Sequence, residues 1–206
     1  MPRTSPQSRT ARVYDRVASI YDWYTRPMEA LGGREARRRL FGLAHGRVLE
    51  LGVGTGASLT AYADDVELTG IDISPRMLAR ARRKADKLGT EVTLQVADIE
   101  DLPFPDASFD AVTASCVFCS VPDPIRGLRE AARVTRTSGL VLLYEHVRPT
   151  TPLLGVLADL VSPLTRRAFG PELNRRTEAN AEAAGLRLRS VYRKGIWRAI
   201  VATPDR

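Results

Sequence analysis

Cysteine and histidine are scarce here, with only two of each in 206 residues. Cys116 and Cys119 form a lone C-x-x-C within Ser115-Cys116-Val117-Phe118-Cys119-Ser120. No second cysteine pair completes a zinc site, and His45 and His146 lie far from it in sequence. Its neighbours are apolar, so buried thiols are expected, and neither redox chemistry nor a metal. No apolar run is long enough to cross a bilayer. Met1 to Ala11 is polar, carries proline and arginine, and has no apolar signal core, so it reads as a disordered lead-in to a cytoplasmic protein. No internal repeat or interdomain linker is visible. The length suits one domain over 1–206 with a sizeable core.

What the chain has in excess is positive charge. Its net charge of +7 comes mostly from arginine. That balance favours an anionic partner, whether nucleic acid, anionic lipid or an acidic metabolite. The basic residues are spread over several helices, which suits plain solubility equally well.

The most informative stretch is Val48-Leu49-Glu50-Leu51-Gly52-Val53-Gly54-Thr55-Gly56. The apolar run Arg47 to Leu51 predicts a buried strand. It ends at three glycines spaced by one residue, and an apolar-faced stretch through Leu59 and Tyr62 predicts a helix after the turn. Glycine permits positive φ and lets the backbone approach a ligand, and a helix start adds unpaired N–H groups. The next acidic strand end is Asp72, in Thr69-Gly70-Ile71-Asp72, where a βαβ nucleotide unit places its ribose-binding carboxylate. Two cofactor classes share this device. Gly52, Gly54 and Ala57 meet a dinucleotide fingerprint loosely. Gly52, Gly54 and Gly56 after Glu50 meet a tighter G-x-G-x-G pattern.

The rest of the chain alternates strands and helices. A first helix is predicted from about Thr10 to Met28, with Val13, Val17, Ile20, Tyr21 and Tyr24 on one face. Tyr14-Asp15 and Tyr21-Asp22 recur seven residues apart on one side of it. Three readings of this helix stay open: packing on the domain, a lid whose tyrosines reach the substrate, and a membrane-surface helix. Gly32-Gly33 breaks the chain before a helix over Arg34 to Leu43. Ser74-Pro75 and Asp123-Pro124 are helix starts, a capping side chain followed by proline at the first helical position. Further strands are predicted at Val66 to Ile71, Glu91 to Ala97, Phe109 to Ser115 and Leu140 to Tyr144. Thr150 to Gly170 is an apolar-rich insertion in which Pro152 and Pro163 bracket a helix. Another helix is read at Asn174 to Ala184. Leu186 to Tyr192 and Ile196 to Ala202 form a hairpin.

This pattern predicts an α/β fold with a mostly parallel sheet, a closing antiparallel hairpin and helices on both faces. Ligands of such sheets bind outside the carboxyl ends of the strands. Those ends are Glu50 to Gly56, Asp72, Asp98, Ser115 to Cys119 and Glu145-His146.

Glu50-Leu51-Gly52-Val53-Gly54-Thr55-Gly56, Gly70-Ile71-Asp72-Ile73-Ser74-Pro75-Arg76-Met77-Leu78 and Asp98-Ile99-Glu100-Asp101-Leu102-Pro103-Phe104, followed by Ser108-Phe109-Asp110, resemble the class I S-adenosylmethionine (SAM) methyltransferases of the type 11 group. The resemblance runs from about Tyr14 to His146. Arg136-Thr137-Ser138-Gly139 stands where the family carries Lys/Arg-Pro-Gly-Gly. Tyr14-Asp15 and Tyr21-Asp22 before the glycine turn are similar to the ubiquinone/menaquinone C-methyltransferases and to bacterial phosphatidylethanolamine N-methyltransferases. The stretches Cys116 to Val121 and Glu145-His146-Val147 depart from the quinone enzymes and are closer to thiol-methylating and phospholipid-methylating relatives.

The resemblance implies a Rossmann-like sheet and SAM as cofactor, with S-adenosylhomocysteine as product. It implies cofactor contacts from Glu50, Gly52, Gly54 and Gly56, a ribose contact from Asp72, and adenine contacts from Ile73, Met77, Asp98 and Ile99. Ser115 and Cys116 would lie under the donor. A helical lid over 12–45 and a helical insertion over 148–185 complete the expected layout. His146 is the candidate base, since a histidine pKa sits near neutrality. Tyr21 is the alternative catalytic group, orienting the nucleophile. Tyr14, Tyr24 and Cys119 are candidate substrate contacts. The expected acceptor is lipophilic, with the amine of phosphatidylethanolamine first, and peripheral contact with an anionic membrane is expected but no nucleic acid. Quinone C-methylation and thiol S-methylation remain as alternatives, as do a SAM-binding module without catalysis and a nicotinamide dehydrogenase.

Overall fold

Arg47–Leu51 forms β1 near the middle of the sheet, buried from Val48 onward as a parallel strand covered on both faces must be. The computed structural model describes residues 6–205, apart from the side chains of residues 6–8 and of Tyr24. Residues 1–5 and the substrate role expected of Tyr24 therefore lie outside the described residues. Parallel to β1 run β2 (Glu67–Asp72), β3 (Thr93–Val96), β4 (Phe109–Ser115) and β5 (Thr135–His146). The hairpin β6 (Leu186–Lys194) and β7 (Trp197–Pro204) closes the sheet through an antiparallel β5–β7 pair. The order is β3-β2-β1-β4-β5-β7-β6. The order reverses between β1 and β4, which is where open α/β sheets bind their ligands.

The strand faces are covered by α3 (Arg34–Phe41) and α4 (Pro75–Leu88) on one side, and by α5 (Pro124–Val134) and α7 (Thr177–Ala183) on the other. Local chemistry explains the two long helix starts. Ser74 Oγ accepts from Met77 N at 3.1 Å, and Asp123 Oδ1 accepts from Arg126 N at 3.0 Å, each followed by proline at the first position. Gly89 ends α4 at φ +65°. Met77, Leu78, Ala81 and Ala85 are buried beneath α4, and each large side chain contributes roughly 1.5–3 kcal/mol.

The expected first helix is two. α1 (Pro6–Val17) and α2 (Tyr21–Met28) are separated by a turn at residues 18–20. α1 begins at Pro6, so the second half of the expected disordered lead-in is helical. A π-turn (Glu29–Gly33) leads on to α3, with the kink at Gly32 (φ +109°) where a break was expected. After the glycine turn the chain makes only a 3-10 turn, Leu59–Ala61, in place of the expected helix. α6 (Pro152–Ala168) runs straight through Pro163 instead of stopping there. Among the described residues no helix is long and apolar enough to cross a membrane.

Candidate functional site

Four strand ends, those of β1 to β4, and the two N-terminal helices line a cleft whose empty volume, counted out to open solvent, is about 620 Å³. Its wall carries nine of the eleven residues expected at the cofactor: Gly52, Gly54, Asp72, Ile73, Met77, Asp98, Ile99, Ser115 and Cys116. Tyr14 and Tyr21 line it too, joined by Thr10, Val117, Ser120, Val121 and Pro122, which sequence reasoning missed. Ser120 stands in the C-x-x-C stretch singled out above, so its position at a strand end was visible although its direction was not.

Asp72 organises the β2 side. Its Oδ1 accepts from Ser74 N at 2.8 Å and its Oδ2 from Gly54 N at 3.0 Å. Each carboxylate oxygen retains acceptor capacity for a hydroxyl in the cavity. Burial raises the carboxyl pKa to about 6 against the pull of those two backbone donors. Gly54 sits at φ +57°, and an added Cβ would find no atom nearer than Gly52 O at 3.9 Å. The backbone there is bare toward the cavity. A sugar diol on Asp72, a chain along Gly54 and a ring between Ile73 and Met77 fit these residues.

The floor is built from β4 and β5. Cys116 adopts φ +55°, a conformation that side chains other than glycine seldom hold without support. Its N–H donates to Tyr144 O at 2.8 Å. The next two N–H groups, of Val117 and Phe118, both donate to Glu145 Oε1, at 2.8 and 3.1 Å. Glu145 is fully buried, and its Oε2 has no hydrogen-bond partner among the described residues. Burial raises its pKa to about 7. The turn also presses Val117 onto Gly52, where an added Cβ would come within 2.6 Å of the valine. Burial and the neighbouring Glu145 push both cysteine thiols up. They stay protonated at neutral pH.

Four expected site residues lie elsewhere. Glu50 is buried behind the glycine turn, where its carboxylate accepts from Tyr62 Oη at 3.0 Å and burial raises its pKa to about 7. Gly56 packs inward, since an added Cβ would strike Leu59 at 2.8 Å and α4 at Ala81. Cys119 is buried and is not part of the cavity wall, its Sγ 3.3 Å from Cys116 O. His146 is the main correction. Strand alternation turns it to the face opposite Glu145, where its ring meets Trp197 edge-on at 6.0 Å. It is absent from the cavity wall.

The Tyr-Asp repeats survive the break between α1 and α2, and each splits its labour in the same way. The tyrosines face the cavity, and Tyr14 Oη lies 2.5 Å from Ser120 Oγ. The aspartates fasten the helices down. Asp15 Oδ1 accepts from Ser74 Oγ at 2.6 Å and from Arg76 N at 3.3 Å. Asp22 accepts from Thr55 Oγ1 at 2.5 Å and from Arg80 Nη2 at 2.9 Å. Burial works against its charge, but the Thr55 and Arg80 contacts outweigh it and hold the pKa below the ordinary value. The N-terminal helices are therefore a wall of the cavity. Replacing both aspartates by alanine should weaken S-adenosylhomocysteine binding about tenfold, at roughly 0.5–1.5 kcal/mol per lost bond. Limited proteolysis should then cut first within residues 6–28. Unchanged affinity and an uncut N-terminus would refute the fastening role.

The methyltransferase-domain family matches residues 49–143 of this chain. A phosphatidylethanolamine N-methyltransferase from Cereibacter sphaeroides is 47% identical over 114 residues, 54% of this chain and 56% of that protein. The chain thus spans just over half of that relative's length. A demethylmenaquinone methyltransferase from Thermus thermophilus is 36% identical over 152 residues, 70% of this chain and 69% of that protein. Among solved structures, a SAM-dependent methyltransferase from Thermotoga maritima superposes with a TM-score of 0.73 over 96% of this chain and all of its own, at 19% identity. That likeness speaks for the fold alone.

Proposed function

The chain belongs to the class I SAM-dependent methyltransferases, and from that premise we propose that it methylates a lipophilic acceptor, first of all the amine of phosphatidylethanolamine. The observation that carries the choice is the make-up of the cavity wall. Its carboxylates are Asp72 and Asp98, both expected at the cofactor, and among the described residues it holds no histidine, lysine or arginine. A quinol carbon becomes nucleophilic as its anion, and among the described residues this wall offers no cation to hold that charge, whereas a neutral amine brings none. An amine loses its proton to water and then needs mainly orientation.

Bound in this cavity, SAM supplies a methyl carbon on a sulfonium, whose departure as a neutral thioether needs no acid. Asp72 would hold the ribose diol, and Gly54 would admit the methionine portion. The hydroxyls of Tyr14 and Ser120 accept N–H bonds from the incoming amine and aim its lone pair. Tyr21 completes the wall and shields the site from water. Held so, the amine lone pair would be aimed in line with the methyl carbon, and the proton displaced from nitrogen would pass to solvent. The name of the Cereibacter relative supports the amine, and that of the Thermus relative keeps quinol as the second reading.

The test is transfer of labelled methyl from SAM to phosphatidylethanolamine in mixed micelles. Label is expected in N-methylated lipid, with His146→Gln retaining turnover within about threefold, since its ring lies off the wall. Label confined to a quinol acceptor would replace the amine reading. Loss of turnover in His146→Gln at unchanged S-adenosylhomocysteine affinity would restore the histidine as base. No label with any acceptor, while S-adenosylhomocysteine still binds, would favour the non-catalytic module.

A further inference from the structure

α6 is built inside out. Leu153, Leu157, Leu160 and Leu164 recur at i, i+4, i+7 and i+11 and form one stripe, flanked by Val156 and Leu154. All six are exposed, from 53% for Leu154, Val156 and Leu157 to 81% for Leu153. At 3.6 residues per turn they cover an arc of about 160°. The small residues Gly155, Ala158 and Ser162 occupy the opposite side and are buried.

The helix is fastened in this orientation. Arg148 crosses over Gly155, where an added Cβ would fall 2.4 Å from its guanidinium, and reaches Asp159 at 2.8 Å. Ser162 Oγ donates to Ala158 O at 2.7 Å and accepts from Leu173 N at 3.0 Å. Rolling the leucines inward would break these contacts and push large side chains into space shaped for glycine and alanine. Contiguous apolar surface of this kind marks an interaction site.

We infer that this face of α6 docks on an anionic lipid bilayer, lying in the headgroup region without spanning it. Charge selects this occupant. Residues 148–176 contain five arginines against two carboxylates. Arg166 and Arg167 are exposed at the end of the helix, while Arg148, Arg175 and Arg176 line an open cavity beside its start. An apolar stripe bordered by arginine matches acyl chains below and anionic headgroups around them. A second copy of this chain would bring the same positive charges face to face.

The face also ends at the catalytic cavity. At the C-terminal end of α6, Gly170 abuts the Tyr14 ring, which lies 2.8 Å from where a Cβ would stand. Glu172 N donates to Cys119 O at 2.8 Å, next to Ser120. Docking would set the cavity wall beside the bilayer, where a lipid acceptor resides. This last consequence rests on the lipophilic-acceptor reading, whereas docking itself does not.

The experiment is co-sedimentation of the full chain with phosphatidylcholine vesicles, with and without phosphatidylglycerol. Partitioning onto the anionic vesicles is expected to exceed that onto the neutral ones by about tenfold and to fall at high salt. The exposed double substitution Leu157→Glu with Leu160→Glu should cut partitioning by about tenfold or more, leaving thermal unfolding and S-adenosylhomocysteine affinity as in the parent. Arg166→Glu with Arg167→Glu should remove the preference for anionic vesicles. Equal partitioning of parent and leucine variant, or no partitioning of the parent, would overturn the proposal. So would a concentration-dependent doubling of mass in light scattering that the leucine variant abolishes without any vesicle binding, which would assign the face to a second copy. Vesicle binding without methyl transfer to lipid would leave docking standing and remove the acceptor reading alone.

Discussion

Asp72→Ala is expected to weaken S-adenosylhomocysteine binding about a hundredfold or more while the sheet remains folded. The carboxylate stands at the cavity wall with one backbone donor on each oxygen. Each hydrogen bond from a ribose hydroxyl to a charged acceptor contributes roughly 1.5–3 kcal/mol, and two would be lost together. Asp72→Asn should be nearly as harmful. Its amide nitrogen would have to face either Gly54 N–H or Ser74 N–H, donor against donor, and the glycine turn would lose its tether.

A pH dependence follows with a definite sign. The free carboxyl has its pKa raised to about 6, chiefly by burial. Ribose hydroxyls favour the ionised form, so the complex has a lower pKa than the free protein. Affinity is then full above pH 6 and declines as pH falls through that value, and Asp72→Asn abolishes the decline. Isothermal titration with S-adenosylhomocysteine from pH 8 to pH 5 measures both effects. An affinity for Asp72→Asn equal to that of the parent would remove Asp72 from the ribose.

The second large effect is expected at Glu145, which touches no ligand. Its Oε1 gathers the N–H groups of Val117 and Phe118 and so holds the positive-φ turn at Cys116 that forms the cavity floor. Glu145→Ala would strand two donors in a dry site and open a cavity, at a cost of about 3–5 kcal/mol. Glu145→Gln keeps the acceptor oxygen and removes the charge. The folded-state pKa of about 7 exceeds the ordinary 4.5, so the folded protein holds this proton more tightly than the unfolded chain does. The associated stability is present below pH 4.5 and is lost as pH rises toward 7. The thermal stability of the parent should therefore fall as pH rises over that interval, and Glu145→Gln should show a shallower slope. Glu50, raised in the same way, keeps part of the slope in the variant. A Glu145→Ala protein as stable as the parent would show that the floor is held by other contacts.

Sequence alone determined the features that depend on neighbours along the chain. A buried strand running into Gly52 and Gly54, a carboxylate at the end of the next strand, and capping residues followed by proline at residues 74–75 and 123–124 are local devices. Their geometry follows from φ preferences and backbone hydrogen bonding, so the parallel sheet, its hairpin and most of the cavity wall were legible before any fold was known. Tertiary structure decided which way the polar groups at the strand ends face. Glu145 and His146 are adjacent, yet strand alternation sends one under the cavity floor and the other to Trp197. Glu50 and Gly56 belong to the glycine motif, yet one is buried behind the turn and the other against α4. Helical spacing showed that α6 has an apolar face, but not that Arg148, Gly155 and Ser162 would hold that face toward solvent. Periodicity records that a face is apolar. What covers that face depends on contacts made far along the chain, and here those contacts left it open.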